Sequence, residues 1–211
     1  MKVIRSIGVI GVACALGAGT AHAQKPPKPQ ISEATRARAA ETNTNPEALV
    51  LIDFHKRVDA YMAIHKAAAK DSLSIKETKN PADIKAAQLA LAAHIRAARA
   101  NAKPGDILTP EIRNKFRRLM FPELKGTAGR EVKEELEEDV HEKDEGTPKK
   151  VIYKINAAYP DGNALPTTPT NILISLPKLP EELEYRIIDK NLILRDVQAN
   201  IIVDFIRNSI Q

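Results

Sequence analysis

From Asn45 to about Lys70, apolar residues fall at Val50, Phe54, Val58, Tyr61 and Ile64 or His65. Steps of three and four residues place them in one stripe of a helix. Asn45-Pro46-Glu47 supplies the start: an Asn N-cap, Pro at the first helical position and an acid in the first turn. The same start chemistry recurs at Asn80-Pro81-Ala82-Asp83, before a second stripe at Ile84, Ala87, Leu91, Ile95 and Ala98. Polar residues 71–79 connect the two. Such a pair packs antiparallel, and with the turn centred near residue 75 the facing positions sum to roughly 149. Phe54 then faces Ile95, Val58 faces Leu91, and His65 lies near Ile84.

Pro104-Gly105-Asp106 reads as a turn. Thr109-Pro110-Glu111 opens a third helix carrying Ile112, Phe116, Leu119 and Met120, and Pro122 ends it. Gly126 to Gly129 is a loop. A fourth helix is predicted over about 130–143, with Val132, Leu136 and Val140 at four-residue steps, and Gly146-Thr147-Pro148 breaks it. The period then changes. Val151, Tyr153 and Ile155 alternate as in a strand. Residues 166–180 are punctuated by Pro166, Pro169, Pro177 and Pro180, with room for a short helix from Ile172 to Leu176. Leu183 to Ile188, a turn at Asp189-Lys190-Asn191 and Leu192 to Arg195 make a β-hairpin. Ala199-Asn200 is a second turn, since Asn tolerates the left-handed conformation. Ile201 to Ile206 is a third strand or a short helix. The fold class is α+β: an N-terminal helical hairpin or bundle, then a small C-terminal antiparallel β-meander.

The beginning of the chain has a different logic. Lys2 and Arg5 precede an apolar run from Ile7 to about Gly17, and Ala21-His22-Ala23 closes it. This is the plan of a secretory signal peptide cleaved after Ala23. The run is shorter than the roughly 20 residues that span a bilayer. Four segments follow from these patterns: signal peptide 1–23, flexible linker 24–45, helical domain 46–146 and α+β domain 150–211. The expected mature chain has 211 − 23 = 188 residues and a periplasmic or secreted location, with no transmembrane segment left after cleavage.

Composition narrows the chemistry. Cys14 is the single cysteine and leaves with the signal, so no disulfide, Cys-ligated metal or Cys nucleophile is expected. Removing Lys2 and Arg5 takes the net charge from +5 to +3, too mild to argue for nucleic acid. Trp is absent and aromatics are 4% of residues, which disfavours a sugar-stacking surface. Charge is instead segregated. Arg96 to Arg118 is basic, and Glu131 to Glu145 is dense in acids. Solvated helix faces explain both runs. The functional alternatives are weak Ca²⁺ binding by the acidic run, which lacks EF-hand spacing, and an anionic-partner patch at Arg113, Lys115, Arg117 and Arg118.

No catalytic motif stands out. Ser32, Ser72, Ser74, Ser175 and Ser209 lie outside any nucleophile signature. His55 and His94 share a height in the hairpin but turn to opposite sides of it. His65, on the core stripe, reads as a half-buried, hydrogen-bonded imidazole. A zinc site needs three or four convergent ligands, and none is legible. Gly126-Thr127-Ala128-Gly129-Arg130 lacks the Lys-Ser/Thr of a P-loop.

The stretch Leu179-Pro180-Glu181-Glu182-Leu183-Glu184-Tyr185-Arg186, with Asn191-Leu192-Ile193-Leu194-Arg195-Asp196 and Ala199-Asn200-Ile201-Ile202-Val203-Asp204, resembles a pattern in uncharacterised exported bacterial proteins. It also resembles, over about 183–206, the C-terminal hairpin of the periplasmic nickel/cobalt-homeostasis family. The resemblance implies a small periplasmic β module. No metal-ligand residue maps across, so nickel or cobalt binding does not come with it.

The expected function is a non-enzymatic envelope protein that binds a partner protein or an anionic envelope polymer and needs no cofactor. The alternatives are a hydrolase with a site between the two domains, and a periplasmic metal-handling protein.

Overall fold

The computed structural model describes residues 28, 30–71, 80–126, 129–131, 133–134, 151–160, 165–166, 168–188 and 190–210. The expected signal peptide, most of the expected fourth helix and the 146–150 domain boundary lie outside them.

Each start signal read from the sequence opens a helix. Asn45 Oδ1 accepts the backbone N–H of Glu47 (2.9 Å) at the head of α2, Pro46–Asp71. Asn80 does the same for Ala82 (3.1 Å) at α3, Pro81–Ala98. Thr109 caps α4, Pro110–Met120, and a 3-10 turn at Phe121–Leu124 follows around Pro122. A short α5, Thr170–Ser175, sits between prolines. None of these described helices is long and apolar enough to cross a membrane.

Within the linker 24–45, the sequence leaves room for a short helix from Ser32 to Glu41 without an apolar face, and one forms. Residues Glu33–Glu41 form α1, capped by the Ser32 hydroxyl on the Thr35 N–H. The helix has no apolar stripe. It is fastened instead by polar contacts: Glu111 at the start of α4 accepts from the Ser32 N–H (3.1 Å) and the Thr35 hydroxyl (2.9 Å). Its one buried residue is Ala39.

Three strands, β1 (Leu183–Ile188), β2 (Asn191–Asp196) and β3 (Ile201–Ile206), form an antiparallel meander in the order β1-β2-β3. The last segment is therefore a strand, and Asn200 takes the left-handed turn position before it (φ 51°). Leu192, Leu194, Ile201, Val203 and Ile206 join Phe54, Val58, Leu91, Ile95, Ile112 and Phe116 in one apolar cluster. The helices and the sheet thus share a core. Ile193, Ile202 and Phe205 point the other way, against Val151, Ile155 and Tyr159. A sheet covered on both faces explains why β2 and β3 are buried at every position.

Residues 151–155 do not form the expected strand. Their alternation is real, since Val151 and Ile155 are buried while Ile152 and Lys154 are exposed. The alternation serves packing over the outer face of the sheet. Backbone pairing with β3 begins only at Asn156, whose N–H donates to Ile202 O (2.9 Å), and ends at Tyr159, whose N–H donates to Asn200 O (3.0 Å).

Two carboxylates on the inner face of the sheet fasten the helical layer. Asp196 follows Leu192 and Leu194 at two-residue steps, so it shares their face. Asp204 gets there by a bulge. Leu194 pairs with Asp204 while Arg195 pairs with Ile202, leaving Val203 as the extra residue. Fully buried, Asp204 accepts the backbone N–H groups of Gly105, Ile107 and Leu108 at 2.9–3.2 Å. The turn that presents these groups needs Gly105 at φ 94°.

Candidate functional site

Helix α4 carries the four residues of the predicted basic patch, and the helix divides them. Lys115 and Arg118, three apart, turn toward α2. Both close on Glu47, with Lys115 Nζ at 2.6 Å and an Arg118 guanidinium nitrogen at 2.9 Å. The Lys115 hydrogen bond, aided by Arg118, holds the Glu47 carboxyl below the usual carboxylate range against the opposing effect of burial. These two cations therefore have a structural partner.

Arg113 and Arg117, four apart, share the other face. They line a cleft of about 370 Å³. Lys154 and Arg207 stand on its far side, brought in from the covering segment and from the end of β3. Tyr153, Ile155, Phe205, Ala102 and Pro104 complete the lining with mostly apolar surface. Among the described residues, no acidic side chain lines this cleft.

The arginines are held ready rather than neutralised. The Arg207 guanidinium lies over the Phe205 ring (5.2 Å) and the Tyr153 ring (5.7 Å), which fixes its plane. Arg117 donates to the Arg207 backbone carbonyl (2.8 Å). Its Nε is buried and meets no acceptor among the described residues. Burial, then repulsion from Arg113, pushes the Arg117 guanidinium below its ordinary pKa. It stays charged at neutral pH because arginine begins so high. A half-buried cation beside another cation is a place where an anion gains energy.

A second cavity, of about 350 Å³, lies among α1, α2 and the start of α4. It mixes both signs of charge: Arg38 and Arg57 line it beside Asp53 and Glu111, Arg57 Nε donates to Asp53 (2.8 Å), and Glu111 accepts from the Ser32 N–H and the Thr35 hydroxyl.

The interface between helices and sheet holds a His–Asp pair. His65 Nδ1 donates to Asp196 Oδ2 (2.6 Å), and the Tyr61 hydroxyl donates to the same oxygen (2.6 Å). Asp196 Oδ1 accepts the Ala199 N–H (2.7 Å). The imidazole expected to be hydrogen-bonded on the core stripe is so, with the sheet as its partner and deeper burial than half. The hydrogen bond to Asp196 raises the His65 pKa against the effect of burial, and Gln198 and Glu182 add to the rise. Burial and the Asp196 carboxylate push the Tyr61 hydroxyl up. At 3% exposure for His65 and 0% for Asp196, the pair is closed to substrate in this conformation. The nearby Arg99 is also buried. It lies over the Tyr61 ring (5.0 Å) and donates to Val203 O (3.1 Å) and Asn156 Oδ1 (3.0 Å).

His55 and His94 are both exposed. Among the described residues, no group of three or more His, Cys, Asp or Glu is placed to hold a metal ion. The acidic run from Glu135 onward lies outside the described residues.

Half of the cleft was legible in the sequence. Arg113 and Arg117 carried a charge signal and the right spacing. Lys154 and Arg207 had none, because their approach depends on how residues 151–160 cross the sheet. A weak clue was the 151–155 alternation, which marks Lys154 as outward-facing. The chain matches no protein-family model, no curated protein and no solved structure.

Proposed function

We propose that this protein is an exported binding module for an anionic envelope component, and that the cleft formed by Arg113, Arg117, Lys154 and Arg207 receives the ligand. One observation carries the reading: four cations line a single cleft to which, among the described residues, no carboxylate contributes. Cations left over from structural pairing are costly to gather, since like charges repel and each loses hydration. Gathering them at one opening focuses a positive potential there and draws anions in. The opening is small for a protein–protein interface, which favours a ligand head group over a whole partner surface. Export rests on the positive start, the short apolar run and the Ala21-His22-Ala23 closure.

Envelope fractionation of the native host tests the reading. Arg113→Ala with Arg117→Ala is expected to release the protein from the envelope fraction. Lys115→Ala with Arg118→Ala removes as many positive charges from the same helix but leaves the cleft intact, so association should persist. Equal retention of both variants would show that the cleft does not hold the envelope ligand.

A further inference from the structure

We infer that the ligand group recognised by this cleft is a phosphate monoester dianion joined to an apolar or ring-shaped body. The inference rests on the anion-binding reading above and narrows it.

Charge is the first reason. A monoanion would leave three of the four cations uncompensated. A phosphate monoester carries about −1.5 to −2 at neutral pH and offers three acceptor oxygens. It can therefore engage Arg113 and Arg117 together and remove the repulsion between them.

Donor geometry is the second. Arg117 has one nitrogen committed to the Arg207 carbonyl and a buried Nε with no acceptor among the described residues. Two other arginines, Arg118 and Arg186, also leave a buried nitrogen unmatched. Each of those already pairs with a carboxylate, Glu47 or Glu184. Arg117 has no such partner, and its nearest charged influence is the like-charged Arg113. A guanidinium presents a planar fork suited to phosphate oxygens, and Arg207 is held flat by its two rings.

The lining is the third. Tyr153 and Phe205 pack edge to face, with centroids 6.2 Å apart, and border the cations. They offer apolar surface to whatever carries the phosphate. The cleft's volume lies near the small end of the range for small-molecule sites, about 300–1,000 Å³.

Calorimetry on the purified full chain tests the inference with phenyl phosphate and phenyl sulfate. These share a ring but differ in charge. At pH 7.5 phenyl phosphate should bind on the order of tenfold more tightly than phenyl sulfate, because the added charge falls on paired guanidinium donors. At pH 5.0 the advantage should vanish, because the phosphate dianion has taken up one proton, near pH 6, and is a monoanion like the sulfate. Arg117→Met should abolish the advantage at pH 7.5 while the unfolding midpoint shows the fold intact. Sedimentation with phosphatidic acid vesicles identifies the source. Vesicle binding displaced by phenyl phosphate supports a lipid phosphate, and binding of the soluble ester alone supports a free one. Equal affinity for the two esters at pH 7.5 would overturn the phosphate inference and leave anion binding standing. Absence of binding to either ester and to the vesicles would overturn both.

Discussion

Asp204→Ala should lower the stability of the protein by at least roughly 3 kcal/mol, since it leaves several donors without an acceptor in a dry site. The wild-type carboxylate takes the N–H groups of Gly105, Ile107 and Leu108, and Ile107 and Leu108 are buried. A methyl group cannot accept from any of them. Small domains are stable by about 5–15 kcal/mol in total, so the loss is a large share. Asp204→Asn retains one acceptor oxygen and should fall between the two. Urea midpoints of the three proteins measure the effect. A midpoint for the alanine variant within error of wild type would mean that the sheet does not hold the 103–108 turn through this carboxylate.

Asp196→Ala should cost a comparable amount, roughly 3–5 kcal/mol, by breaking a buried charged pair. It strands the Tyr61 hydroxyl, the His65 imidazole and the Ala199 N–H. Its signature is a change in pH dependence. His65 has a folded pKa raised above the ordinary value of 6.5. The stability this adds is fully present below the unfolded pKa and is lost as pH rises through the raised folded value. The groups facing His65 are Asp196 and Glu182, both of which raise its pKa. Tyr61 shares the Asp196 oxygen and has its own ionisation pushed upward, so it remains neutral across this window. Wild-type Tm should therefore fall as pH is raised from about 6.5 through the elevated His65 pKa, on the sign rule for a raised histidine. The Asp196→Ala protein should show little of that fall. Parallel Tm profiles for the two proteins would contradict the pairing.

These two carboxylates also show where sequence reading reached its limit. The helices were legible because capping is local: Asn45, Asn80 and Thr109 act on N–H groups two or three residues away. The β-hairpin was legible from its alternation and turn. Asp196 fell in step with Leu192 and Leu194, so its face could be inferred, but its partners Tyr61 and His65 lie more than 130 residues back. The side of Asp204 could not be inferred. The run from Ile201 to Ile206 is apolar on both faces, and such a run gives no sign of a bulge at Val203. The expected strand at 151–155 had the right burial period without the hydrogen bonds, because periodicity reports which side chains are covered and not what the backbone pairs with. The Glu111 contacts that hold α1 in place come from a residue 76–79 positions away, beyond the reach of local reading.

The cleft depends on the same long-range assembly. Phe205 of β3 and Arg207 just beyond it supply one wall, α4 supplies another, and Tyr153 and Lys154 close over the sheet. An anion is therefore predicted to act on one identifiable group, the Arg117 guanidinium, whose Nε–H signal reports on it. The most direct measurement is a ¹⁵N NMR titration of the arginine Nε–H signals with inorganic phosphate at constant ionic strength. The Arg117 signal should shift saturably, and the Arg118 signal, whose side chain is paired with Glu47, should stay in place. Signals that remain still, or that drift together without saturating, would contradict an anion site in this cleft.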